Sequence, residues 1–113
     1  PHWFNGRFKD YSHRVTDLPV DQHELVALVA PRPVYIASAE EDRWADPKGE
    51  YLSGWHASEV YRLLGKDGLP GPDYPALNVS VGESVGYHVR PGAHALTAVD
   101  WEFYLQFADR HLR

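Results

Sequence analysis

Neither cysteine nor methionine occurs among the 113 residues. The missing cysteine excludes disulfide scaffolds, thiolate zinc sites, iron–sulfur clusters and cysteine nucleophiles within this chain. It gives no clue to compartment, because a secreted protein need not carry disulfides. Positive charge is also short: 11 Lys and Arg stand against 16 Asp and Glu, a formal net charge of −5. Nucleic-acid binding needs a basic face, so no nucleic-acid partner is expected. No apolar run approaches the roughly 20 residues that cross a bilayer, and no membrane partner is expected. Pro1-His2-Trp3-Phe4 lacks the basic-then-apolar order of a signal peptide. A chain that opens on proline, with no initiator, is expected to be part of a longer one.

Aromatic residues, by contrast, are plentiful. The 15 of them (4 Trp, 7 Tyr, 4 Phe) point to a substantial core or an aromatic-lined site and argue against disorder. Residues 1–19 carry no clear period and read as a long loop or a partly ordered lead-in. Asp21 is a plausible N-cap for a short helix through Leu25-Val26-Ala27-Leu28-Val29-Ala30, which Pro31-Arg32-Pro33 must end. Val34-Tyr35-Ile36-Ala37-Ser38-Ala39 is a nearly continuous apolar, β-branched run, as expected of a strand covered on both faces in a parallel sheet. Asp46-Pro47 supplies a cap and first turn for a second helix running to about Leu64-Gly65. Pro70, Pro72 and Pro75 with Gly68 and Gly71 make the next stretch a loop. Val85–Val89 is the best second strand. Thr97-Ala98-Val99-Asp100 resembles a capping box, after which Trp101, Leu105, Ala108 and Leu112 are predicted to form the buried face of a last helix. Helices alternating with strands define an α/β fold. Two or three strands cannot cover their own edges, so the pattern predicts the C-terminal portion of a larger doubly wound, mostly parallel sheet.

Two motifs fail on their context. Gly82-Glu83-Ser84-Val85-Gly86 fits the nucleophile-elbow pattern G-x-S-x-G, but the elbow needs a helix after the serine, and a strand is predicted here. No acid lies between Ser84 and His94 to complete the order serine, acid, histidine. Ser84 is therefore read as a loop or strand-edge serine. His23-Glu24-Leu25-Val26-Ala27 begins like the zinc signature H-E-x-x-H, with alanine at the second ligand position. His2, His13, His56 and His111 show no ligand spacing.

The segment Ala39-Glu40-Glu41-Asp42-Arg43-Trp44-Ala45-Asp46-Pro47 places four acids after the first strand, at the end where open α/β sheets put their sites. Alone, it is equally a solvated turn leading into a helix. His94 lies in a glycine-containing turn after the second strand and, alone, is equally a surface histidine. An acid after the penultimate strand followed by a histidine after the last is nonetheless the acid–base arrangement of α/β-hydrolases, in which the acid orients an imidazole that takes the proton of a serine.

These residues, with Asp21-Gln22-His23-Glu24-Leu25, Ala30-Pro31-Arg32-Pro33-Val34-Tyr35, Gly86-Tyr87-His88-Val89-Arg90, Gly92-Ala93-His94 and Asp100-Trp101, resemble the bacterial glucuronoyl esterases of carbohydrate esterase family 15 in the same order along the chain. The resemblance implies a serine α/β-hydrolase without metal or cofactor. It would cleave esters between the glucuronic acid branches of glucuronoxylan and lignin alcohols, outside the cell or in the periplasm. It implies His94 as the base and Asp42 as sole, shared or auxiliary acid, since the family also uses a Glu after an earlier strand. Trp44 matches an aromatic beside the bound uronate. Ala95 departs from the acid that often follows the histidine, and the family's G-C-S-R nucleophile segment is absent. Residues 1–113 are accordingly expected to be a C-terminal segment of one hydrolase domain, roughly its last third. The partner would be the N-terminal remainder of that domain, and the segment alone is expected to be inactive. Two further readings stand beside this one. The first is an acetyl xylan or generic carboxylesterase of the same fold. The second is a non-catalytic carbohydrate-binding or interaction domain using Trp3, Trp44 and Trp55.

Overall fold

The structure, a computed structural model, describes residues 4–112. Its elements are α1 (Gln22–Ala27), β1 (Val34–Ala39), α2 (Pro47–Leu63), β2 (Val81–Gly82), β3 (Val85–Arg90) and α3 (Ala98–His111). Before α1, where a loop or partly ordered lead-in is predicted, lie two short 3-10 turns, Gly6–Tyr11 and Val15–Asp17. Asp21 caps α1 by accepting the Gln22 N–H at 2.7 Å. That helix is shorter than predicted because proline at 31 cannot donate to the Ala27 carbonyl. The chain instead tightens into bonds three residues apart, Val29 N–H to the Val26 carbonyl and Ala30 N–H to the Ala27 carbonyl, both 3.1 Å.

The three strands form one sheet in the order β1-β3-β2, with β1 parallel and β2 antiparallel to β3. The strand buried on both faces is β3, not β1. Val85, Tyr87, His88 and Val89 of β3 are inaccessible to solvent, whereas most of β1 is half-buried. The reason is position: β3 is central, while β1 has a strand on one side only among the described residues. On one face of the sheet, α2 packs Tyr51 and Tyr61 against Val85, Tyr87 and Val89. Its Ser58 accepts the Leu69 N–H at 2.9 Å, which pins the proline-rich loop and seats Leu69 in that core. On the other face, α3 lays Phe107 against Tyr35 at a centroid distance of 4.9 Å.

The glycines of the failed elbow motif have structural roles. Gly82 has φ of +92° at the tight connection from β2 to β3. At Gly86 a side chain would press into the rings of Tyr35 and Phe107, where the backbone of β3 passes beneath them. Gly86→Ala is expected to cost about 1–3 kcal/mol through overpacking, read as a lowered midpoint in a thermal melt. An unchanged midpoint would show that the rings move aside freely.

The predicted buried face of α3 is wrong by about one residue of rotation. Trp101, Leu105 and Leu112 are exposed, and Ala108 is half-buried. The inward positions are Asp100 and Phe107, with Phe103, Tyr104 and His111 half-buried beside them. Apolar residues lie on both sides of this helix, so periodicity could not choose between them. The choice falls to Asp100, whose carboxylate is bound by side chains of β3.

Candidate active site

The parallel register pairs Ala39 with Arg90, so β1 and β3 end side by side and release their loops in the same direction. Two backbone bonds carry the ladder beyond the strands, from Glu40 N–H to the Arg90 carbonyl at 2.8 Å and from Glu41 N–H to the Gly92 carbonyl at 3.1 Å. The acidic loop then turns, with Asp42 N–H on the Ala39 carbonyl and Ala45 N–H on the Asp42 carbonyl. Asp46, with φ of 56° in the left-handed region, accepts the Gly49 N–H at 3.2 Å and starts α2. Asp42 is thereby held inward, its side chain 15% exposed, while that of His94 is 89% exposed.

The two meet. Nδ1 of His94 lies 2.5 Å from Oδ2 of Asp42. With a carboxylate as acceptor, Nδ1 carries the proton, and Nε2 keeps its lone pair for a proton offered from outside the loop pair. A small cavity beneath the pair is lined by Ser38, Asp42, Glu50, Arg90, His94 and Asp100. Ser38 donates to Glu50 at 2.6 Å, tying the first turn of α2 to the end of β1.

Other predicted positions lie apart from this pair. Ser84 sits at the opposite end of β3, about 20 Å away at the rise of an extended strand. Its N–H binds the Asp67 carbonyl, its own carbonyl accepts the Val34 N–H, and a strand follows it. Trp44, two residues beyond Asp42, is 87% exposed and free of the core. Of the aromatics proposed for a binding module, Trp55 packs partly buried against the core, and Trp3 lies outside the described residues. Among the described residues no group of three or more His, Asp or Glu is arranged to hold a metal ion.

The sequence reading missed a buried polar cluster behind the histidine turn. Asp100 accepts from Nε2 of His88 at 2.9 Å, from Nε of Arg90 at 2.9 Å, and from the N–H and hydroxyl of Thr97 at 2.6 and 2.8 Å. Burial alone would raise the Asp100 carboxyl, but the bonds from Thr97, His88 and Arg90 outweigh it and hold it at about 2. For His88, burial lowers the pKa by more than the Asp100 hydrogen bond and charge restore. The imidazole is therefore neutral near pH 7. Its Nε2–H donates to Asp100, and Nδ1 accepts from the Tyr35 hydroxyl at 3.1 Å. A sequence signal did exist: Gly86, His88 and Arg90 fall on one face of a strand that the fold must bury. Polar groups there require partners.

Paired parallel strands flanked by helices, with an acid and a histidine in contact beyond their carboxyl ends, define a segment of an α/β-hydrolase. A family model described as glucuronyl esterase of fungi matches residues 1–65, and the chain belongs to that family. It is 53% identical over 112 residues to carbohydrate esterase MZ0003 from an unknown prokaryote, covering 99% of this chain and 26% of that one. The solved structure of a glucuronoyl esterase from Solibacter usitatus superposes with a TM-score of 0.89 at 50% identity, over 96% of this chain and 28% of the other. Over 72 residues the chain is 39% identical to 4-O-methyl-glucuronoyl methylesterase 1 of Wolfiporia cocos, covering 64% of this chain and 16% of that protein. The chain thus spans about a quarter of the length of the first two relatives.

Proposed function

We propose that the protein to which this segment belongs is a serine carboxylic ester hydrolase that cleaves 4-O-methyl-glucuronoyl esters linking glucuronoxylan to lignin alcohols. The observation that carries the chemistry is the 2.5 Å contact between His94 and Asp42 across two adjoining strand ends, and the similarity to 4-O-methyl-glucuronoyl methylesterase 1 supports the substrate. The serine and the donors that stabilise the oxyanion would come from the N-terminal remainder of the same domain, with residues 1–113 as its C-terminal segment. His94 Nε2 takes the serine proton as the hydroxyl oxygen attacks the ester carbonyl. The imidazolium returns that proton to the leaving alcohol, giving a serine ester of the uronate. Water then repeats the sequence, with His94 as base, and releases the acid and the free serine. No metal or cofactor enters this scheme. A polymeric substrate of this kind supports a site of action outside the cell or in the periplasm.

Trp44 is proposed as a substrate-binding residue. Its exposed ring, on the loop that holds Asp42, offers an apolar face to a sugar and an N–H to its oxygens. In the full-length enzyme, Trp44→Ala is expected to lower kcat/KM on methyl glucuronate about 10-fold while changing a small acetyl ester less than about threefold. Equal losses on both substrates would favour the acetyl or generic esterase. Absence of ester hydrolysis by the full-length protein on either substrate would overturn the enzymatic reading.

A further inference from the structure

The histidine turn, residues 91–97, contains little regular structure, and the His94 side chain is almost wholly in solvent. An imidazole presented this way keeps its place only if the backbone on either side of it is fixed. The candidate for fixing it is the side chain that ends β3. Arg90 is 5% exposed, and its guanidinium is used in full. Nε–H donates to Asp100, with 2.9 and 3.2 Å to the two carboxylate oxygens. Nη1 donates to the carbonyls of Pro91 at 3.0 Å and Ala93 at 3.2 Å, and Nη2 to those of Ala93 at 3.2 Å and Ala95. The carbonyls of residues 93 and 95 flank His94, and three separate peptide groups of its turn converge on one planar fork.

Asp100 sets the angle of that fork. It is the third residue of α3, it accepts the Thr97 N–H that opens the helix, and it is bound from the sheet by His88. We propose that Arg90, aimed by Asp100, is a positioning residue that fixes the backbone on both sides of His94 so that its imidazole meets Asp42. This inference rests on the esterase reading above. It assigns the buried cluster a role in turnover besides its role in packing α3.

Lysine distinguishes the two roles. It keeps the positive charge beside Asp100, but its compact ammonium cannot reach three carbonyls from one plane. In the full-length enzyme, Arg90→Lys is expected to lower kcat on methyl glucuronate about 30-fold with KM within about twofold, because displacement of a reacting group by about 1 Å costs up to about 100-fold. In an Asp42→Asn background the same substitution is expected to cost less than about threefold, since the geometry it protects is already lost. Full additivity of the two losses would show that Arg90 does not act through the His94–Asp42 contact and overturn the inference. So would a kcat within about twofold of wild type in a cooperatively melting Arg90→Lys variant.

If Arg90→Lys does not fold, Arg90→Met combined with Asp100→Asn removes both charges together and leaves no buried ion unpaired. That double variant is expected to melt cooperatively and still lose kcat about 30-fold, by the same displacement of a reacting group. Retained turnover, or failure of this variant to fold as well, would overturn the inference in favour of a packing role. His94→Ala, assayed in parallel, separates the two claims. If its activity survives, the assignment of His94 as base and this inference fall together. If it is lost while the Arg90 variants turn over normally, the inference falls by itself.

Discussion

Under the proposed mechanism, His94→Ala in the full-length protein is expected to lower kcat on a methyl glucuronate ester by at least about 1,000-fold, with the protein still folded. The physical reason is the need for a proton acceptor. A serine hydroxyl is a poor nucleophile until a base takes its proton, and His94 is the side chain whose free Nε2 faces outward from an anchored ring. With the imidazole 89% exposed, its removal leaves no core cavity and should barely move the thermal midpoint. Loss of turnover without loss of stability is the signature to measure. Activity that survived His94→Ala but not Ser84→Ala would transfer the chemistry to the far end of β3.

The second large effect is expected at Asp42. Asparagine preserves the shape of the carboxylate but offers an N–H where His94 needs an acceptor. An amide turned toward Nδ1 favours the tautomer protonated on Nε2, which cannot take a proton from serine. A loss in kcat of about 1,000-fold or more is expected if Asp42 is the sole acid. A loss of about 10-fold or less would mean that a Glu from an upstream strand shares the role. The comparison Asp42→Asn against His94→Ala therefore decides between a sole and an auxiliary acid by magnitude. The two substitutions combined should cost little more than His94→Ala alone, because they disable one unit.

The elements around this pair were legible because each rests on a strong local rule. Proline at 31 and 47, the Asp46 cap and the apolar run of β1 leave few alternatives, and the predicted helix–strand alternation is found. The meeting of Asp42 and His94 was legible by topology and resemblance, because parallel strands deliver their loops to the same edge. The buried cluster was not. His88, Arg90 and Asp100 are polar in a stretch where apolar periodicity guides a reader, and their pairing joins residues 10 to 12 positions apart across two elements. The rotation of α3 was hidden for the same reason. Its exposed side carries Trp101, Leu105 and Leu112, and only the ion pair turns Asp100 inward. Trp44 was singled out by resemblance as an aromatic for the bound uronate, and the structure places its side chain in solvent.

The alignment of Ala39 with Arg90 makes the contact between Asp42 and His94 a gauge of strand registration. Sliding β1 by one residue past β3 would shift Asp42 about 3.3 Å along the strand axis and turn every side chain of β1 to the opposite face. A mis-paired molecule could then keep much of its secondary structure, so circular dichroism would discriminate poorly between it and the native form. Turnover would discriminate well, because the imidazole would have lost its acceptor. Under the proposed mechanism, recovered activity divided by recovered helical signal during refolding of the full-length protein is therefore expected to follow the fraction of chains whose two strands have zipped in the correct phase.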